Sequence, residues 1–389
     1  MPPKPVAPAP SKLAAAVKKS SIANKKEPLW KGPEDSSDQG GITQSLLSKF
    51  LVCRERFRVR VIEGLAPNDQ FNKNMEYGNM WHVCEESFAA NPKGGYHSGS
   101  PFNSALDAYV RKLHDRYRFA GEEIMKWSTI CRMQFPIYCK YWSQHPDVLN
   151  RTPVLQEYAF KVPYKLPSGR TVYLRGKFDS VDIIGKGRSA ALYLQENKTK
   201  SEIDVEMLKR QLSFDLQTMM YLIALKSYQE QQGNHLKDLP LMGVRYNVIR
   251  RPLGGGRGSI KRHEARGSKP EETWEHFFDR LRTEYLEKEP EAYFERFKSE
   301  ILPEHYDSFK ATFFNPCLEQ LCDWYTDVVH KFAGNSGYSA QSPRWDYCNY
   351  RTPFGIYNPL LEQGFTDVDE YLATGNTVGL TRTPLFQEL

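Results

Sequence analysis

The sequence predicts an α/β fold: a mixed central sheet flanked by helices, with helical elaborations toward both ends. Three observations lead there. Helical patterning prevails from Thr43 to His145, and strand patterning takes over from Val154 to Lys198. A long helical pattern then leads to one more strand-like run, Leu241 to Ile249.

Met1 to Gly40 reads as a separate, disordered arm. Its first half is Pro, Ala and Lys, with Lys4, Lys12, Lys18, Lys19, Lys25 and Lys26 unopposed by any acid before Glu27. Such an arm touches phosphates weakly or is simply solvated. Residues 41–389 are expected to form one domain whose core spans about 150–250. Helices are expected at Gln44–Ile62, Glu76–Ala89, Ser104–Tyr117 and Glu122–His145. Pro101 with Asn103-Ser104 marks one entrance, and Pro146 closes the last. Strands are expected at Val154–Leu166, Thr171–Ile184 and Ala191–Lys198, the latter two joined by the turn Gly185-Lys-Gly-Arg188. One helix should run from Val205 to Gln231. Further helices are expected at Glu271–Glu287 and Cys317–Phe332. No internal repeat is visible.

Composition bounds the function. The chain has 389 residues, is 40% hydrophobic and carries a formal net charge of +6. That charge suits a polyanionic partner, although a small excess of Lys and Arg is also ordinary. No apolar run reaches membrane-spanning length, and Leu13-Ala-Ala-Ala-Val17 is too short and too enclosed by lysines for a secretory core. Seven scattered cysteines do not outline a disulfide framework. The expectation is a soluble, intracellular (cytoplasmic) protein with no membrane partner; its oligomeric state is open.

The chemistry concentrates between Gly176 and Tyr221. Gly176-Lys-Phe-Asp179 lies in one predicted strand, Glu196-Asn-Lys198 closes the next, and Gln217-x-x-x-Tyr221 shares one helix face. Strand alternation projects Glu196 and Lys198 from one face and Asn197 from the other. A carboxylate beside an ammonium suits hydrolysis with a hard divalent cation: oxygens hold the ion and the positive charge orients the attacking oxygen. Alone, Glu-x-Lys is more often a solvated ion pair. Asp182, three residues beyond Asp179, competes with it from the opposite strand face.

In order and spacing these residues resemble the PD-(D/E)XK nucleases, and more narrowly their RecB-like and phage-exonuclease branch. The resemblance runs from about Thr43 to the C-terminal region. It includes Tyr77-Gly78-Asn-Met-Trp-His82, similar to the branch's Gly-x-x-x-His motif, and Thr43-Gln-Ser45 to Phe57, similar to its opening helix. It implies a restriction-endonuclease-like fold, favours Asp179 over Asp182, and assigns Asp179, Glu196 and Lys198 to catalysis. His82, Asp179, Glu196 and the Asn197 carbonyl would hold Mg²⁺ or Mn²⁺. Gln217 and Tyr221 would lie near the scissile strand, and Glu157 is an accessory candidate.

The basic, glycine-rich segment from Arg250 to Lys269 contains Arg250, Arg251, Arg257, Lys261 and Arg262, which are expected to clamp a phosphate backbone. It lacks the ending of a nucleotide-binding loop. Many members of the branch carry an iron-sulfur cluster. Cys53 and Cys348 match two ligand places, but Ile356 to Leu361 stands where more cysteines belong, and Cys317 and Cys322 have the wrong spacing, so no cluster is expected. The expected function is a metal-dependent DNA nuclease, an exonuclease in recombination, repair or phage DNA processing, with DNA and a recombination protein as partners. The alternative is a catalytically silent nucleic-acid-binding protein or a nuclease-fold component of a recombination complex.

Overall fold

A computed structural model describes residues 28–332, apart from gaps at 53, 63, 68–69, 92–94, 96–98, 144, 146–150, 214, 232, 254–259 and 268, and also residues 380–382 and 385–386. The chain divides into two compact units. One is drawn from residues 1–41, 46–68 and 317–388, the other mainly from 69–316.

In the first unit most of α1 (Gln44–Val52) leads into a helical turn at Arg54–Phe57 and a π-helical turn at Arg58–Ile62. A short strand, β1 (Leu65–Pro67), follows. Trp30 is fully enclosed here; its indole N–H donates to the Gly41 carbonyl at 2.8 Å, and its ring meets Phe57 and Tyr325 edge-on at 5.3 and 5.0 Å. The Leu29 amide donates to the Ile62 carbonyl at 3.1 Å. Folded chain therefore begins by Leu29, not after Gly40: one aromatic anchor outweighs the Pro, Gly and Asp composition around it.

The second unit opens with three helices, α2 (Lys73–Ala90), α3 (Pro101–Arg116) and α4 (Gly121–Trp142). Asn72 caps α2 by accepting from the Asn74 and Met75 amides. Pro101 occupies the first turn of α3, where its missing amide costs nothing. These helices bury Tyr77, Trp81, Phe102, Ile124, Trp127 and Phe135 in one apolar cluster.

The sheet that follows is mixed, in the order β2 (Arg151–Lys165), β3 (Thr171–Ile184), β4 (Ala191–Lys200), β5 (Leu241–Arg250), β6 (Phe294–Glu300). Only β4 and β5 run parallel; the other neighbours are antiparallel. This is the restriction-endonuclease-like α/β arrangement expected from the sequence. The hairpin between β3 and β4 turns through Gly185, whose φ of +91° suits glycine.

The parallel pair needs a crossover, and here the structure corrects the reading of one long helix. The segment forms α5 (Val205–Leu212) and α6 (Leu216–Gln229), because the Asp215 carboxylate accepts from the Thr218 amide and starts a new helix. Two further departures lie downstream. Glu271–Glu287 is α-helical only as α7 (Trp274–Arg280), continuing as a π-helical turn at Leu281–Leu286. Residues 294–300 form the edge strand β6, which charged Glu295, Arg296, Lys298 and Glu300 make illegible as a strand by apolar alternation. Two helices follow, α8 (Pro303–Phe309) and α9 (Asn315–Phe332).

The two faces of the central strands carry different layers. On one, the Tyr246 hydroxyl bonds to the Leu212 carbonyl and Thr218 hydroxyl of the crossover, both at 2.8 Å. On the other, Asn247 donates to the Tyr138 hydroxyl of α4 at 2.7 Å and to the Asn197 side chain at 2.8 Å. That second face also buries Asp182 and Arg245, paired at 2.6 Å.

Candidate active site

Strand alternation works as expected along β4. Glu196 and Lys198 face α6, and the Asn197 side chain turns to the opposite layer. The Lys198 ammonium donates to Glu196 Oε2 at 3.0 Å and to Gln217 Oε1 at 2.7 Å. Glu196 is fully buried, and its second oxygen, Oε1, has no hydrogen-bond partner among the described residues.

Asp179 comes to this point from β3, held by the Asn197 amide, which donates to Oδ2 at 2.7 Å. Its other oxygen lies 3.7 Å from His82 Nδ1. His82 arrives on α2, and Glu157 on β2 reaches the same imidazole nitrogen at 3.3 Å. The β2–β3 register, Gln156 opposite Ser180 and Tyr158 opposite Phe178, sets Glu157 across from Asp179. Glu157 has a φ of +44°, a conformation rarely adopted by side-chain-bearing residues and one that clusters at functional sites. His82, Glu157 and Asp179 offer ligand atoms all within 4.8 Å of one another. Lys177 Nζ closes the outer side, 2.8 Å from Glu157 Oε2 and 3.4 Å from Glu86 Oε2.

The electrostatics are those of crowded carboxylates. Burial pushes Glu196 up to about 7, against the pull of Lys198, with Asp179 adding repulsion. Burial likewise raises Asp179 despite His82. Burial opposes charge on His82, yet Asp179 and Glu157 overcome it and lift the imidazole to about 9. Glu157 is held low because His82 and Lys177 outweigh its burial. Lys198 is raised by Glu196 and Asp179 in spite of burial and stays an ammonium.

A divalent cation fits this donor set. The carboxylates of Glu157, Asp179 and Glu196 are hard oxygen donors, one imidazole accompanies them, and the Glu196 Oε1 left without a partner is an oxygen such an ion would satisfy. Glu157 is more central than its sequence context suggests: nothing local marks it, and only strand register carries it to His82. Asp182 lies elsewhere, enclosed by Arg245 at 2.6 Å and Arg151 at 3.5 Å.

Gln217 and Tyr221 share the α6 face toward β3 and β4 but sit differently. Gln217 is partly exposed at Lys198, whereas Tyr221, one helical turn on, packs edge-on against Phe160 and Phe178 at 5.4 and 5.8 Å. Gly176 belongs to the same packing. A Cβ there would lie 2.9 Å from both Phe160 Cζ and Tyr221 Cε1. Gly176→Ala is therefore expected to lower stability by about 1–3 kcal/mol in chemical denaturation; an unchanged midpoint would show that the rings yield freely.

The basic residues expected to clamp a backbone are dispersed. Arg250 is partly exposed, with its guanidinium 5.4 Å from the Tyr293 ring. Arg251 is only 6% exposed and donates to the Thr199 carbonyl and hydroxyl at 2.8 and 3.1 Å. Lys261 is exposed, while Arg262 is engaged by Glu271, the Glu272 carbonyl and the Trp274 ring. Arg257 lies outside the described residues, as do Cys53, Cys348 and Ile356 to Leu361. Cys317 is partly exposed and Cys322 buried. Among the described residues no helix is long and apolar enough to cross a membrane.

A sheet of this topology with acids on adjacent strands and Glu-x-Lys closing β4 defines a class, and the family comparison agrees. The profile of the PD-(D/E)XK nuclease superfamily matches residues 42–324, well over half of the chain. The chain belongs to that superfamily, whose members are typically metal-dependent nucleases. No curated protein matches it.

Proposed function

We propose that the protein is a Mg²⁺- or Mn²⁺-dependent deoxyribonuclease of the RecB-like and phage-exonuclease branch, an exonuclease in DNA recombination, repair or phage DNA processing. The observation that carries this reading is the convergence of His82, Glu157 and Asp179 beside a buried Glu196 oxygen that lacks a partner.

His82, Glu157, Asp179 and Glu196, with the Asn197 carbonyl, would hold the ion; it would acidify water and offset charge gathering on the phosphate. The chain's own groups do the rest. Lys198, held as an ammonium between Glu196 and Gln217, directs a donor hydrogen bond at the attacking oxygen. Water gives up a proton to solvent as its oxygen bonds to phosphorus in line with the departing ester oxygen, the P–O bond breaks, and the leaving oxygen takes up a proton from solvent. The Glu157–Lys177–Glu86 chain holds the Glu157 carboxylate in place. Gln217 accepts from Lys198 at 2.7 Å and restrains it. Arg250 and Lys261, both at least partly exposed, supply positive charge toward the backbone, and buried Arg251 adds to it from within.

End-labelled linear DNA and closed circular DNA, incubated with the protein in Mg²⁺ or Mn²⁺, test this. The linear substrate should be degraded, the circle spared and a chelator should stop the reaction; no loss of either substrate would reject the nuclease reading. In calorimetry His82→Ala should weaken Mn²⁺ binding by at least about tenfold. Unchanged affinity would remove His82 from the ligand set.

A further inference from the structure

Two cations near the end of β4 make no ion pair among the described residues. Arg251 is 6% exposed, and its Nε has no partner. Its terminal nitrogen Nη1 is spent on the neutral oxygens of Thr199. Lys200 lies next to it, joined through the backbone: the Arg251 amide donates to the Lys200 carbonyl at 2.8 Å. Among the described residues no carboxylate pairs with either side chain. Asp215, which caps α6 at Thr218, attracts Lys200 from a distance without pairing with it. Burial and the charges of Lys198 and Arg251 accordingly draw the Lys200 pKa down, and burial draws Arg251 down.

Enclosing an unpaired cation such as Arg251 is costly unless something anionic lies within reach, and half-buried Lys200, on the other face of the same strand end, adds to that positive charge. Position indicates what. Lys200 is two residues beyond Lys198 on a regular strand, so both project from the same face, about 7 Å apart along it. Lys198 addresses the reacting phosphate in the proposed function. A lysine one pleat farther on the same face stands where the strand's next charge would pass.

Resting on that nuclease reading, we propose that Lys200, backed by the buried charge of Arg251, binds the backbone phosphate adjacent to the scissile one in a nucleic-acid strand. The contact is electrostatic and independent of base identity. Lys200 supplies the donor. Arg251, walled in by Thr199, supplies field and holds the end of β4.

The test uses the full chain in chelator, so that binding is read without cleavage. Anisotropy of a short labelled single strand is measured across a salt series for wild type, Lys200→Gln, Lys200→Arg and the exposed control Lys237→Gln. Lys200→Gln should lower affinity about tenfold at low salt and reduce the salt slope by about 0.7. Lys200→Arg and Lys237→Gln should stay near wild type. A strand carrying one uncharged methylphosphonate beside the scissile position should lose the same affinity with wild type and lose no more with Lys200→Gln. Because Lys200 is partly exposed and makes no hydrogen bond through its side chain among the described residues, its variants should melt with wild type. Unchanged affinity and slope in Lys200→Gln, or an undiminished methylphosphonate penalty in it, would overturn the phosphate site while wild-type cleavage left the nuclease reading standing. Wild-type protein that neither binds nor cuts DNA would remove both.

Discussion

Lys198→Ala is expected to reduce DNA cleavage by about 10²- to 10³-fold, the usual cost of removing one preorganised donor from a reacting centre. The ammonium sits between Glu196 and Gln217, so its direction is set before substrate arrives. Binding of uncleaved DNA should remain measurable, weakened by no more than the loss of one phosphate contact. The alanine variant also strips a buried carboxylate of its counter-ion, and misfolding could imitate loss of chemistry. Glu196→Gln covers that case: it keeps the shape and a hydrogen-bond acceptor for Lys198, yet removes an anionic oxygen, and it should be comparably inactive while melting near wild type. Single-turnover cleavage and thermal melting measured together decide the matter. Wild-type rates in either variant would move the reacting centre elsewhere.

Arg245→Ala should be the most destabilising single change in the sheet, by about 3–5 kcal/mol in equilibrium denaturation. Arg245 is fully buried on β5 and bonds Asp182 on β3 and Gln195 on β4, crossing the centre of the sheet. Truncation leaves Asp182 enclosed with Arg151 at 3.5 Å as its remaining counter-ion. The double variant Arg245→Met, Asp182→Leu should recover much of the loss, because replacing a buried pair with apolar volume avoids the uncompensated charge. Equal destabilisation in the single and double variants would mean that packing, not charge, holds this position. The same layer continues through Gln195 and Asn197 to Asn247. Since the Asn197 amide holds Asp179, disorder in that layer should also reach the candidate site.

Much was legible because it depends on neighbours in sequence. The hairpin of β3 and β4, the shared face of Glu196 and Lys198, and the pairing of Gln217 with Tyr221 follow from periods of two and 3.6 residues, which local chain geometry enforces. Asp179 and Asp182 fall on opposite strand faces by the same rule, but which of them meets the site depends on where Arg245, 63 residues on from Asp182, places its charge.

What local periodicity could not reach was decided by long-range pairing. Glu157 has no distinguishing context, and the β2–β3 register together with the approach of α2 brings it to His82, 75 residues away. The break between α5 and α6 turns on one capping bond of Asp215, which competes with continued helix by a margin of about 1 kcal/mol. Strand β6 carries charged residues at four of its seven positions and exists because β5 offers it an edge to pair with. By itself, then, the sequence determined the fold class and the acid-and-lysine motif, both properties of short stretches of chain. Only the tertiary structure decided that a second glutamate joins the site and that Lys200 and Arg251 meet at the end of β4 with no ion pair among the described residues, because those are sums of charge over strands that chain geometry alone does not bring together.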